Sequence, residues 1–319
     1  MQNFSIAIHG GAGTILKKDI TAELEAAYLK GLEEALTKGY VILEKGGSAL
    51  DAVTAAVVSL EDCILFNAGR GSVFTKTGTH EMDASIMNGK TMQAGAATCV
   101  QLVKNPVLLS KAIMEKSEHV LLSGEGALQF AKEHSMELES EDYFFSQFRY
   151  DQWQLVKNEN TTSLDHNINT NNITKATAGK EKKFGTVGAV ACDAFGNLAA
   201  ATSTGGMTNK NYNRIGDTPI IGAGTYANNQ TCAISCTGHG ELFIKAVAAY
   251  DVSCLMEYKG CTLQQAMEIV TLDKLVKING EGGMIGVDAT GNAALVFNSE
   301  GMYRGLQKSN GEKLIAIYQ

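Results

Sequence analysis

Two stretches in the second half of the chain share one pattern: an apolar run, a turn of the form Asp-x-x-Gly-Asn, and a second apolar run. Thr186 to Cys192 and Leu198 to Thr204 flank Asp193-Ala194-Phe195-Gly196-Asn197, while Met284 to Val287 and Ala293 to Phe297 flank Asp288-Ala289-Thr290-Gly291-Asn292. Short apolar runs joined by Gly- and Asn-containing turns predict β-hairpins, hence antiparallel sheet. Helical patterns come in separate runs. Leu24, Tyr28, Leu32, Leu36 and Tyr40 recur every four residues, and Ser48 with Asp51 forms a capping-box signature ahead of a helix running to about residue 62. Leu108 to Met114, Ala127 to Lys132, an Ala-rich helix from about Glu241 to Tyr258, and a helix opening at Thr262-x-x-Gln265 complete the set. Helices in runs and strands in hairpins predict an α+β fold, with helices layered on antiparallel sheet, rather than repeated βαβ units.

Residues 4 to 8 read as a short buried strand ending in His9-Gly10-Gly11-Ala12-Gly13, and residues 63 to 80 as Gly-rich and irregular. Lys157 to Lys183 shifts to Asn, Thr, Lys, Asp and Glu without apolar periodicity, which marks a linker that is either functional or disposable. Neither a repeat array nor a second independent domain is visible, so residues 1–319 read as one domain.

The net charge of −7 divides into −5 over residues 1–185 and −2 over 186–319, without the basic balance of a nucleic-acid or anionic-membrane binder. The N-terminus lacks a charged, then apolar leader and no run is long enough for a membrane span, which predicts a cytoplasmic protein. Seven irregularly spaced cysteines fit reduced thiols.

Chemistry concentrates where the linker ends. A cut between Gly185 and Thr186 would give one residue both a nucleophilic hydroxyl and a free α-amine to take its proton. Taken alone, a Thr at a strand start is ordinary β propensity. Gly185, the expendable linker and further polar segments downstream shift that balance. Ser203-Thr204-Gly205-Gly206 falls where the paired strand should end, so a hydroxyl there could orient the nucleophile. Arg214-Ile215-Gly216-Asp217 places a cation and an anion three apart, suited to an amino-acid zwitterion or, equally, to a surface ion pair. Cys236-Thr237-Gly238-His239-Gly240-Glu241 leads from a strand into a helix, where backbone N–H groups could meet an oxyanion.

Together, His9-Gly10-Gly11-Ala12-Gly13, Phe66-Asn67-Ala68-Gly69-x-Gly71, Met82-Asp83-Ala84-Ser85-Ile86-Met87, Gly185-Thr186-Val187-Gly188, Ser203-Thr204-Gly205-Gly206 and Thr237-Gly238-x-Gly240-Glu241 closely resemble the plant-type asparaginase/isoaspartyl peptidase family of N-terminal-nucleophile (Ntn) hydrolases. Asn298 to Arg304 also looks like that family. The resemblance implies a four-layer αββα sandwich of the Ntn-hydrolase type. It also implies autocleavage between Gly185 and Thr186 into an α subunit (1–185, with 157–185 a flexible linker) and a β subunit (186–319), assembled as a dimer of αβ heterodimers. Carried over, Thr186 is the nucleophile and Thr204 its supporter. Thr237 and Gly238 form the oxyanion hole with Asn67 nearby, and Arg214, Asp217 and Gly240 hold the substrate's α-carboxylate and α-amine. His239 lines the pocket. The substrates implied are L-asparagine and β-aspartyl dipeptides, and the chemistry needs no cofactor. A structural sodium ion is implied on the backbone carbonyls of Leu60, Glu61, Cys63, Phe66, Ala68 and Arg70; carbonyl oxygens suit such a hard cation. The rival readings are a glycosylasparaginase-like amidase and an uncleaved, non-catalytic amino-acid-binding protein.

Overall fold

Successive side chains of a strand point to opposite faces, and that alternation decides how this chain is layered. The computed structural model describes residues 3–158 and 183–319, so most of the expected linker lies outside the described residues. Its strands in chain order are β1 (Ser5–Gly13), β2 (Met82–Asn88), β3 (Ala94–Val100), β4 (Leu121–Ser123), β5 (Lys183–Phe184), β6 (Val187–Cys192) and β7 (Leu198–Thr204), then β8 (Thr225–Ala227), β9 (Cys232–Gly238), β10 (Gly282–Asp288), β11 (Ala293–Phe297), β12 (Gly301–Lys308) and β13 (Lys313–Tyr318). One sheet has the order β13-β12-β1-β6-β7-β2-β3-β4, with β5 added to the end of β1; the other has the order β11-β10-β9-β8. Both expected hairpins form. Val187 lies opposite Ser203 in one, and Gly283 opposite Phe297 in the other.

On β6 and β7, Val187, Ala189, Ala191, Ala199 and Ala201 turn to a core shared with helices α1 (Ala22–Glu44) and α2 (Ala49–Glu61). Val190, Cys192, Leu198 and Ala200 turn the other way, into a core containing Ile234 of β9 and Met284 of β10. Thr186 and Thr204 have this second parity and face the smaller sheet. Four further helices, α3 (Pro106–Lys116), α4 (Gly124–Glu133), α5 (Glu141–Phe144) and α6 (Gln147–Val156), precede the undescribed segment. After β9 come α7 (Gly240–Ala246), α8 (Ala248–Lys259) and α9 (Leu263–Glu268), and Leu263 and Met267 of α9 meet Ile234 around Gly286.

The caps follow side-chain reach. Thr262 and Gln265 bond reciprocally, hydroxyl to backbone N–H (3.3 Å) and amide oxygen to backbone N–H (3.1 Å). Ser48 likewise accepts from Asp51 N (3.1 Å), but the shorter Asp51 carboxylate takes the Ser48 hydroxyl (2.7 Å) instead of completing the box.

Two expectations need correction. The His9-Gly10-Gly11-Ala12-Gly13 segment does not end its strand; β1 runs on to Gly13, and its pairing with β12 shifts register between His9 and Gly11. Gly10 lets it pass, because a Cβ there would lie 2.4 Å from Phe66 Cε1. The single helix expected over Glu241 to Tyr258 is two, α7 and α8, divided at Val247 in the left-handed region (φ 50°, ψ 47°). The reason is tertiary: Ala249 and Tyr250 N–H groups donate to Ala223 O (3.2 Å) and Gly222 O (2.8 Å) instead of to the preceding turn.

Helices α1 and α2 approach through Gly39, where a Cβ would fall 2.3 Å from Ile6 Cδ1 and 2.9 Å from Ala52 O. Helix propensity alone favours Gly39→Ala by about 1 kcal/mol, but overpacking against a backbone oxygen costs about 1–3 kcal/mol. We expect Gly39→Ala to lower the melting temperature; a raised one would show that the helices are not this close.

Candidate active site

The β6–β7 register brings the residue before β6 beside the last residue of β7, so Thr186 meets Thr204. The Thr186 hydroxyl donates to Thr204 Oγ1 (3.2 Å), and Thr204 in turn donates to Gly185 O (2.9 Å) while accepting from Gly206 N (3.0 Å). Asn67 comes from the irregular loop after α2. Its Nδ2 donates to Gly185 O (2.9 Å) and Gly206 O (2.8 Å), and its Oδ1 accepts from Val73 N (3.0 Å). The Gly185 carbonyl therefore receives two side-chain hydrogen bonds, from Asn67 and Thr204, which draw electron density from its carbon.

Gly185, Thr186, Thr204 and Gly206 line a cleft together with Arg214, Asp217 and Gly238. Asp217 is 4% exposed and its Oδ2 has no hydrogen-bond partner. Burial pushes its carboxyl up to about 7, against the pull of the Arg214 guanidinium. The Thr237 hydroxyl, wholly buried at the end of β9, is also unpartnered. Buried polar groups without partners are uncommon; Asp217 lines the cleft, and Thr237 immediately precedes Gly238, which also lines it.

Arg214 is held by Glu241, a residue to which the sequence reading gave no role. Nε and Nη2 of the guanidinium donate to the two carboxylate oxygens, each at 2.8 Å. Neither outcome weighed for Arg214 and Asp217 included this bidentate pair. Two N–H groups of five are thereby used, leaving three. Gly240 sits against both clamp residues, since a Cβ there would lie 2.9 Å from Asp217 Oδ1 and 3.0 Å from Arg214 Nη2. His239 Nε2 lies 3.4 Å from Glu241 Oε2, at the rim of this group.

The loop from Leu60 to Arg70 turns tightly around glycines. A Cβ on Gly69 would be 2.6 Å from Glu61 O, and one on Gly71 would be 2.0 Å from Phe66 O and 2.7 Å from Ile64 O. The carbonyls of Leu60, Cys63, Phe66 and Ala68 each accept from a backbone N–H of the same loop; a carbonyl oxygen keeps a second lone pair that suits a hard cation. Arg70 directs its charge outward, over the Tyr143 ring at 5.4 Å, so it does not obstruct the carbonyls. Three further side chains brace the site that the sequence alone did not single out. Arg149 of α6, 1% exposed, donates to Gly71 O (3.0 Å) and Leu65 O (3.2 Å). Glu61, pushed up to about 8 by burial, accepts from Ser203 Oγ (2.6 Å) and Val107 N (3.0 Å). His9 reaches Thr186 O from Nδ1 (3.0 Å).

The family profile described as Asparaginase matches residues 1–317. The chain belongs to the asparaginase family. Its relatives in that family include the isoaspartyl peptidase of Salmonella typhimurium, 50% identical over the whole of both chains. The isoaspartyl peptidase of Escherichia coli is 49% identical over 98% of this chain and 96% of its own. The human isoaspartyl peptidase/L-asparaginase is 40% identical over 93% of this chain and 91% of its own. The motifs that carried the resemblance, far apart in sequence, converge around Gly185 and Thr186. Asp83 pairs opposite Thr204, and Asn298 accepts from Gly282 N (2.8 Å) behind the end of β9.

The Asp217 carboxyl makes stability fall with pH. Between 3.8 and about 7 the folded protein holds a proton that the unfolded chain has released, so stability is full below pH 4 and lost as pH rises to 7. Asp217→Asn removes that loss. We expect the variant to melt above the wild type at pH 8 and level with it near pH 4; equal gaps at both pH values would contradict a buried, unpaired carboxyl.

Proposed function

We propose that this protein is an autoproteolytically activated hydrolase that cleaves β-aspartyl dipeptides and the side-chain amide of L-asparagine, releasing L-aspartate. The observation that carries the reading is the Gly185 carbonyl, held by Asn67 and Thr204 next to the Thr186 hydroxyl and facing a cleft with an unpaired carboxylate. In the uncut chain the Thr186 hydroxyl attacks the Gly185 carbon, the C–N bond breaks, and water hydrolyses the resulting ester. The α-amine so freed has a pKa of about 7.7–8.0, so part of it is neutral near pH 7 and accepts the Thr186 hydroxyl proton.

Asp217 takes the substrate's α-ammonium, and the N–H groups of Arg214 not used by Glu241 take the α-carboxylate. Glu241 holds the guanidinium flat in one orientation, which spares the substrate that ordering cost. The β-carbonyl then lies against Thr186. The Thr237 hydroxyl and Gly238 N–H donate to the developing oxyanion, an acyl-enzyme forms, ammonia or the downstream amino acid leaves, and water releases aspartate. Asp217 Oδ2 and Thr237 Oγ1 thus receive the partners that no protein group gives them.

The resemblance and the layering, helices on one sheet and a second sheet between it and further helices, support the four-layer αββα reading. The same reading makes residues 1–185 and 186–319 the two subunits of a cytoplasmic dimer of αβ heterodimers. The carbonyls of Leu60, Glu61, Cys63, Phe66, Ala68 and Arg70 would hold a sodium ion, whose charge would brace the loop that carries Asn67.

Intact mass spectrometry under denaturing conditions tests the reading directly. Wild type should give two fragments, the second beginning at Thr186, and should hydrolyse a β-aspartyl dipeptide. Thr186→Ala should remain one chain. Asn67→Ala, losing one donor to the Gly185 carbonyl, should slow cleavage by about 10²–10³-fold. An uncut, inactive wild type after long incubation would overturn the proposal.

A further inference from the structure

Strand register places His9, Gly188, Thr202 and Ser85 in one transverse row across β1, β6, β7 and β2. Across the gap between the sheets, Thr225 of β8 and Ser235 of β9 form a second row. The rows interlock through a continuous file of buried hydrogen bonds. His9 Nε2 meets Ser235 Oγ (2.8 Å), Ser235 meets Thr202 Oγ1 (2.7 Å), Thr225 donates to Thr202 (2.5 Å), and Ser85 donates to Thr225 (2.8 Å). The file crosses from sheet to sheet at every step. Ser85 Oγ also donates to Thr218 O (2.6 Å), in the residue after Asp217, so its one proton is shared between that carbonyl and Thr225. At the other end His9 Nδ1 lies 3.0 Å from Thr186 O.

Resting on the function proposed above, we propose that His9 is a positioning residue for the Thr186 nucleophile, and that the hydroxyl file fixes its tautomer and ties it to the ammonium-binding end of the cleft. The sense of the file follows from its end. A carbonyl oxygen only accepts, so His9 carries its proton on Nδ1 and its Nε2 accepts from Ser235. Ser235, having donated, accepts from Thr202, which accepts from Thr225; the single Ser85 proton goes chiefly to Thr218 O (2.6 Å) and only secondarily to Thr225 (2.8 Å). From Thr225 to His9 the protons point toward Thr186, and bonds aligned head to tail strengthen one another.

Two features of the structure serve this arrangement. The β1–β6 ladder ends at the His9–Gly188 pair, so the Thr186 carbonyl lies beyond it and takes the imidazole. A Cβ on Gly188 would fall 2.0 Å from Ser235 Oγ and 2.5 Å from His9 Nε2, so glycine is what allows the file to pass between the sheets. Burial pushes the imidazole down to about 3, which keeps it uncharged beside the α-amine at working pH. Once the Gly185–Thr186 bond is cut, Thr186 loses its tether on one side, and the hold on its carbonyl gains importance.

The test is a pair of variants that separate hydrogen bonding from packing. Thr202→Val keeps the shape and removes the hydroxyl; Thr202→Ser keeps the hydroxyl and removes a methyl. We expect Thr202→Val to slow precursor cleavage and lower kcat on a β-aspartyl dipeptide by about 10- to 100-fold, with KM within about threefold. Thr202→Ser should restore kcat to within about threefold of wild type. Thr202→Val at the wild-type rate, or Thr202→Ser as slow as Thr202→Val, would overturn the role. A wild type that neither cleaves nor turns over, run alongside, would instead overturn the underlying function. Should Thr202→Val not fold, nitrogen NMR of the wild type labelled at histidine decides, with the His9 signals assigned by their loss in His9→Gln. A proton on Nδ1 and none on Nε2 is expected, and a proton on Nε2 would overturn the proposal.

Discussion

The site depends on two sheets meeting across small side chains. Within the apolar core that the two sheets share, the small side chains of Ala7, Gly188, Ala200 and Thr202 on one sheet, and of Ala233 and Ser235 on the other, let hydroxyls reach across. Buried hydroxyls must be hydrogen-bonded, so this seam determines how the sheets align as well as how closely they approach. A purely aliphatic interface would tolerate sliding by fractions of an ångström; directed bonds do not. Thr186 and Thr204 lie at the end of that seam, and its register is theirs.

Two of the buried polar groups left without partners lie in or next to the cleft. Asp217 Oδ2 and Thr237 Oγ1 are buried without partners, and the Asp217 carboxyl is pushed up to about 7 by its surroundings. Each costs stability for want of a protein partner. Asp217 lines the cleft and Thr237 precedes its lining residue Gly238, where a ligand carrying an ammonium and a polarised carbonyl would supply what is missing. Arg214 differs: its charge is already met by Glu241, which leaves N–H groups to spare.

Much of the scaffold was legible because it rests on local rules. The two Asp-x-x-Gly-Asn hairpins, α1 and its four-residue spacing, and the caps at Ser48 and Thr262 depend on side chains a few residues apart, and they formed where the pattern placed them. The break at Val247 was invisible, since a β-branched residue in the left-handed region is adopted only because carbonyls of residues 222 and 223 capture the amides of Tyr250 and Ala249. The strand extension through Gly10 was hidden for a similar reason: the glycines that suggested a loop make room for Phe66.

The residue types and their order determined the family, the alternation that separates helix-facing from sheet-facing positions, and the candidate groups Thr186, Thr204, Asn67, Arg214 and Asp217. Sequence order could not say which of these meet, because Asn67 and Gly185 are 118 residues apart and His9 and Ser235 are 226 apart. Strand order and register alone brought them together. The capture of Arg214 by Glu241 and the role of His9 behind Thr186 were likewise decided by the tertiary structure, since hydrogen bonds and burial act over a few ångströms of space whatever the distance along the chain.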